Sequence, residues 1–165
     1  MFPTVTFCGK PHNYYKIDNL VSRSAQPQYD DFQWLKDQGV TDILSFRTMS
    51  KDVIDFDEKE LVQSLNMNYH SIPSITQSPQ KELVYKFLDT VEKVKKQNGK
   101  IHIHCMHGAD RTGMYSFIYK CIQNIGTEAN NIKEMLALGF NLYKYPHLID
   151  WSKDFLKEYK LLKRK

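Results

Sequence analysis

The stretch His104-Cys105-Met106-His107-Gly108-Ala109-Asp110-Arg111-Thr112-Gly113 constrains the fold of this chain more than any other. The alternating run Lys100-Ile101-His102-Ile103-His104 leads into it with strand periodicity, and a helical pattern starts directly behind it. A strand, a short glycine-containing turn and a helix N-terminus in that order make an anion site. The first N–H groups of the helix lack partners within it, and the helix dipole favours negative charge there. Cys105 and Arg111 stand at the two ends of the turn.

A thiol is a weak nucleophile until it loses its proton, and a helix N-terminus with a neighbouring cation favours the thiolate. The amides from Met106 through His107, Gly108, Ala109 and Asp110 to Arg111 are expected to surround phosphate oxygens, or the Cys105 thiolate when the site is empty. Arg111 offers a planar fork that matches two phosphate oxygens at once and binds more strongly as the phosphoryl group flattens in the transition state. Gly108 allows close approach of the backbone. The Thr112 hydroxyl can donate to the sulfur, His104 is expected to orient the turn from behind, and Gly113 completes the pattern.

These ten residues resemble the His-Cys-x5-Arg-[Ser/Thr] signature of the cysteine-dependent protein tyrosine and dual-specificity phosphatases. Cys-x5-Arg alone is weak, but the added His, Gly, Thr and Gly reduce a chance match to roughly one in millions at average residue usage. The resemblance extends to the small atypical bacterial or plant and fungal members. Asn19-Leu20-Val21-Ser22-Arg23-Ser24-Ala25-Gln26-Pro27 is similar to their opening, residues 35–47 to their next helix-turn-strand, and Tyr69-His70-Ser71-Ile72-Pro73 to their third strand. It covers most of residues 19–159 and implies a metal-independent phosphomonoester hydrolase that passes through a phospho-cysteine. Phosphotyrosine, with or without phosphoserine and phosphothreonine, is the first substrate class implied. Inositol phosphates or phosphoinositides are the second.

The chain of 165 residues is read as one domain, with residues 1–18 as an irregular surface segment. Strands are expected at residues 20–22, 42–46, 69–72 and 101–104. Helices are expected to begin at Pro27, across 52–65, at Pro79, after the turn, at Thr127–Glu128, and near the C-terminus over Leu148, Trp151, Phe155, Tyr159 and Leu162. This alternation predicts an α/β fold, with a central, largely parallel sheet of four or five strands and helices on both sides. The turn then falls at the carboxyl end of a strand, where such sheets bind ligands. Hydrophobic residues are 41% and charged residues 25%, as in ordinary globular chains, and no apolar run is long enough for a membrane span. No secretory signal is visible and three cysteines show no framework spacing, so a cytoplasmic, monomeric protein without disulfides is expected. The net charge of +4 favours anionic partners, a phosphorylated protein or a small phosphorylated molecule. The basic tail reads as a solvated helix end rather than a nucleic-acid patch. The histidines show no zinc-ligand spacing, and no metal or cofactor is expected.

The family supplies a general-acid aspartate from the loop after the third strand. Here that stretch, Ile72-Pro73-Ser74-Ile75-Thr76-Gln77-Ser78-Pro79, has no carboxylate. Three readings stay open. Asp110 is the acid, or one of Asp52, Asp55 and Asp57 is, or the leaving group is good enough to need none. A Met at 106, where many relatives carry Lys, argues against polyphosphorylated inositols, although protonated His107 partly compensates. Arg23, Arg47 and Lys81 are candidates for the pocket mouth. Cys121 is read as core, His102 as structural and Cys8 as a surface or packing thiol, with a resolving role as the alternative for either cysteine. The same loop could also serve a phosphate-reading module without turnover, or an RNA triphosphatase.

Overall fold

The computed structural model describes residues 9–48 and 54–163. Five strands form one sheet in the order β1-β2-β5-β3-β4. These are β1 (Tyr15–Lys16), β2 (Val21–Ser24), β3 (Asp42–Ser45), β4 (Asn68–Ser71) and β5 (Ile101–His104). The last four run parallel, and only β1 is antiparallel, pairing Tyr15 with Arg23. The predicted sheet is therefore present. Residues 1–18 are not wholly irregular, because Tyr15–Lys16 add an edge strand too short for periodicity to reveal.

Helices α1 (Asp31–Asp37) and α2 (Glu58–Ser64) cover one face, where Phe32, Leu35 and Val62 pack on Ile43. Helices α3 (Lys81–Lys96), α4 (Arg111–Ile122), α5 (Glu128–Ala137) and α6 (His147–Lys163) build the other core. Alternation along β5 explains the division, with Ile101 and Ile103 in the larger core while His102 and His104 face the other way. Phe46 at the end of β3 stacks on Tyr115 of α4 at 4.0 Å and meets Phe87 of α3 edge-on at 5.7 Å. Such aromatic pairs add about 0.5–1.5 kcal/mol each beyond the area they bury.

Several boundaries differ from the sequence reading. Pro27 does not open α1, which starts at Asp31, and Tyr29 is exposed. The α4 stripe becomes a helix buried almost all round, from Thr112 to Lys120. On α5, Met135 and Asn131 are buried while Leu136 is exposed, and Leu162 at the end of α6 is also exposed. Thr127 caps α5 as its sequence implies, its side chain accepting the Asn130 N–H at 3.1 Å.

Candidate active site

The carboxyl ends of the four parallel strands converge on the turn between β5 and α4. The Phe46 carbonyl, just past β3, accepts the Ser74 N–H at 3.1 Å and Arg111 Nη1 at 3.3 Å. The Gln26 N–H, just past β2, donates to the Met106 carbonyl at 3.0 Å. Gly113 and Met114 donate back to Ala109 and Asp110 at 3.1 and 3.0 Å, so the amides ahead of them are the open end of α4.

Gly108 has φ +72°, and a Cβ there would lie 2.4 Å from Ala25 N and from Ser24 C. Only glycine lets the turn press this closely on the end of β2. Asn13 braces the outside of the turn, with Nδ2 3.5 Å from the carbonyls of His107 and Gly108 and 2.9 Å from that of Leu138.

A cavity of about 240 Å3 opens above the turn and is lined by Cys105, His107, Asp110, Arg111, Thr76 and Lys144 among others. The cysteine and arginine at the two ends of the turn thus share one cavity, with the Cys105 side chain buried at its floor. Met106 lines it as well. Thr112 is fully buried, and its Oγ1 has no hydrogen-bond partner among the described residues. The segment 74–77 that forms one wall carries no carboxylate and is fixed from both sides. Ser74 Oγ lies 2.7 Å from the Tyr115 hydroxyl and the Thr76 carbonyl lies 3.0 Å from His147 Nε2.

Asp110 lines the cavity, and its Oδ1 accepts the Asn141 N–H at 2.9 Å. Asn141 Oδ1 in turn accepts the Lys144 N–H at 3.0 Å. The carboxylate at the start of α4 thereby anchors the α5–α6 connection that carries Lys144 to the mouth. Asp57 caps α2 by accepting the Glu60 N–H at 3.0 Å, and Asp55 lines a neighbouring cavity. Asp52 and Cys8 lie outside the described residues.

Behind the turn, His104 is fully buried, with Nε2 2.8 Å from Glu58 Oε2 and Nδ1 3.3 Å from the Cys105 carbonyl. Both partners are oxygen acceptors. Gln26 Nε2 donates to Glu58 Oε1 at 2.5 Å, and Arg47 Nη1 donates to Gln26 Oε1 at 2.5 Å. Burial alone would raise the Glu58 pKa, but the His104 charge and hydrogen bond, the Gln26 amide and the Arg47 charge together hold it below its ordinary value. His102 sits between Ser22 Oγ and Ser24 Oγ at 2.8 and 2.7 Å. Burial, with the His104 charge adding to it, pushes its pKa well down. It is a neutral structural ring.

The three candidates for the mouth go elsewhere. Arg23 is 1% exposed beneath the turn, Arg47 joins the Gln26 and Glu58 network, and Lys81 pairs with Glu158 of α6 at 2.5 Å. Cys121 lies ten residues along α4 from Arg111, about 15 Å at the helical rise, too far to resolve an oxidised Cys105 directly. Sequence reading missed Glu58, Lys144 and Asn13. Glu58 carries no spacing signal, since its partner is 46 residues away. Asn141, three residues before Lys144, is a turn signal that could have marked the connection.

Among the described residues no group of three or more His, Cys, Asp or Glu is placed to hold a metal ion, and no helix is long and apolar enough to cross a membrane. No curated protein matches the chain. Many solved structures are similar in fold, and three of them illustrate the range. The putative phosphatase (DUF442) of Shewanella putrefaciens CN-32 is 24% identical, with a TM-score of 0.73 over 90% of this chain and 88% of that one. TpbA of P. aeruginosa is 19% identical, with a TM-score of 0.69 over 89% and 84%, and a variant of it has been solved in complex with phosphotyrosine. The core catalytic domain of the PP-IP phosphatase SIW14 from S. cerevisiae, in complex with citrate, is 18% identical, with a TM-score of 0.71 over 89% and 85%. The family model described as PTP-NADK, a DSP-PTPase phosphatase fused to NAD+ kinase, matches residues 5–142. The chain therefore belongs to that family and is a small atypical cysteine-dependent phosphatase of the dual-specificity type.

Proposed function

We propose that the chain hydrolyses phosphomonoesters in two steps through Cys105, with phosphotyrosine in proteins as its first substrate class. The observation that carries this is Cys105 and Arg111 in one cavity at the open N-terminus of α4. Cys105 Sγ attacks phosphorus in line, the bond from phosphorus to the ester oxygen breaks, and a phospho-cysteine forms. Arg111 and the turn amides from Met106 to Asp110 hold the equatorial oxygens, whose charge grows in the transition state. Water then cleaves the S–P bond and releases phosphate, with the Thr112 hydroxyl available to the departing sulfur. TpbA's complex with phosphotyrosine lends support to the substrate class.

Asp110 is our candidate acid for the leaving oxygen because it lines the cavity, while the wall at 74–77 offers no carboxylate. Its bond to Asn141 gives it a competing role as an anchor. Two substitutions separate the roles. Asp110→Asn keeps an oxygen acceptor for Asn141 but cannot donate as an acid, whereas Asp110→Ala loses both. An acid predicts that Asp110→Asn loses about 10²–10⁴ in kcat on esters with poor leaving groups. An anchor predicts near-native Asp110→Asn and a weak Asp110→Ala.

A second reading, inositol phosphates or pyrophosphates, is favoured by Lys144 at the mouth and by the missing carboxylate, since an anhydride leaving group needs less acid help. It also agrees with the similarity to SIW14. The deciding assay is phosphate release with EDTA present, from an aryl phosphate, phosphotyrosyl peptides and inositol phosphates, using the native chain and Cys105→Ser. Release that survives Cys105→Ser refutes the mechanism. Inositol compounds turned over far faster than every peptide refute the first substrate class.

A further inference from the structure

Arg23 is the one large charged side chain closed off beneath the turn, and its surroundings do not neutralise it. It lies on β2 between Tyr15 of β1 and Ile103 of β5, and it is 1% exposed. Nη2 donates to the Gly108 carbonyl at 2.5 Å, and Nε has no partner among the described residues. Three other buried charges among the described residues have an ion-pair partner. Glu58 has His104, Asp42 has His70, and Lys120 has Glu134. Among the described residues Arg23 has no carboxylate in ion-pair contact. A guanidinium buried without a counter-charge is strongly disfavoured, so an anion is expected close by.

The anion the fold provides is at the turn that Arg23 touches. Burial draws the Arg23 pKa down to about 10, and the attraction of Cys105 is the largest force opposing that fall, ahead of Glu134 and Tyr15. The side chain therefore stays charged at neutral pH. Its hydrogen bond also sets a direction. In a trans peptide the carbonyl oxygen and the next N–H point opposite ways. Holding the Gly108 oxygen on Arg23 turns the Ala109 N–H away from it, as an inward-pointing turn amide requires.

We propose that Arg23 is a positioning residue whose buried charge is the permanent counter-cation of the Cys105 thiolate and of the phosphate that replaces it in the turn. The part that concerns bound phosphate rests on the proposed hydrolase reading, and the pairing of Arg23 with the thiolate does not. The charged and titratable groups around the turn that carries Cys105 come from every side. They are Arg23 on β2, His104 on β5 with Glu58 of α2 behind it, His107 and Asp110 in the turn, Arg111 on α4, and Lys144 and Tyr145 on the α5–α6 connection. Of the cations, Arg111 and Lys144 reach solvent, whereas Arg23 does not and escapes screening.

The experiment is the pH dependence of iodoacetamide alkylation at Cys105, read by mass spectrometry on the peptide that contains it. The native chain, Arg23→Lys and Arg23→Met are compared after each is shown to melt cooperatively. Arg23→Met is expected to raise the alkylation midpoint by about one pH unit, the lower end of what a nearby opposite charge produces, and Arg23→Lys to keep most of the native value. The acid limb of kcat/KM should move with it. A folded Arg23→Met with an unchanged midpoint overturns the proposal. If Arg23→Met does not fold, Cys105→Ser in the native background takes its place. Its melting temperature should fall below the native one only above the thiol's midpoint, and a gap independent of pH overturns the proposal. Alkylation needs no turnover. A low midpoint that depends on Arg23 in a protein that releases no phosphate would therefore sink the hydrolase reading and leave this one standing.

Discussion

Replacing Glu58 by Gln tests whether the network behind the turn holds it together. The native carboxylate, 7% exposed, receives His104 Nε2 at 2.8 Å and Gln26 Nε2 at 2.5 Å. A Gln side chain has one oxygen and one NH2, so it sets a donor against a donor at one of these two contacts. A buried hydrogen bond to a charged group contributes about 1.5–3 kcal/mol, and breaking a buried pair costs up to about 5. For a chain of this size each kcal/mol moves Tm by about 2–4 °C, so Glu58→Gln should melt at least ~3 °C lower at neutral pH. The pH dependence sharpens the test. The folded pKa of Glu58 lies below its ordinary value of 4.5, so between the two the unfolded chain binds the extra proton. The stability this group adds is fully present above that ordinary value and is lost as pH falls through the folded pKa. The gap between native and variant, measured by urea unfolding at a series of pH values, should be full at neutrality and narrow in acid. An equal gap at every pH, or no gap at neutrality, would refute the role of the charge.

His102 gives a second pH effect. Its folded pKa is depressed, so stability is full above about 6.5 and falls as pH drops below it, with a slope approaching ~1.4 kcal/mol per pH unit from this one ring. His102→Gln should flatten that limb in urea titrations, and an unaltered slope contradicts a neutral buried ring. Gly108→Ala drives a Cβ to 2.4 Å from the backbone of Ser24 and Ala25 in a left-handed conformation, so the turn must move. Phosphate release should fall at least about a hundredfold, the scale of an ångström misplacement, and near-native turnover would show that the turn tolerates the shift. Arg111→Lys keeps the charge and loses the planar fork. Steady-state kinetics should show kcat reduced about 10²–10³-fold, as for loss of one preorganised donor, and a loss under about tenfold would refute bidentate holding. Lys144→Met should raise KM for multiply phosphorylated substrates more than for a monophosphorylated aryl ester, and equal effects on both would remove Lys144 from recognition.

What was legible in the sequence is what short spacing encodes. The alternation of Ile101 and Ile103 with His102 and His104 fixed β5 and its two faces, and the run from Cys105 to Gly113 fixed the turn and the start of α4. What was not legible depends on partners distant in the chain. Arg23 reads as a candidate for the pocket mouth until β2 is laid parallel to β5 with Ser24 opposite His104, which brings it under Gly108, 85 residues later. Glu58 reads as the first turn of an acidic helix, and only the packing of α2 on the sheet brings it to His104. Asp110 shows the limit most plainly. Its place before Arg111 makes it visible as a carboxylate in the turn, but its Oδ1 is committed to Asn141, whose own side chain holds the backbone of Lys144. One carboxylate thus connects the turn to the α5–α6 connection that lines the same cavity. Any substitution there changes the acid candidate and the cavity wall together, so the Asn variant, which alters the first and spares the second, is the informative one.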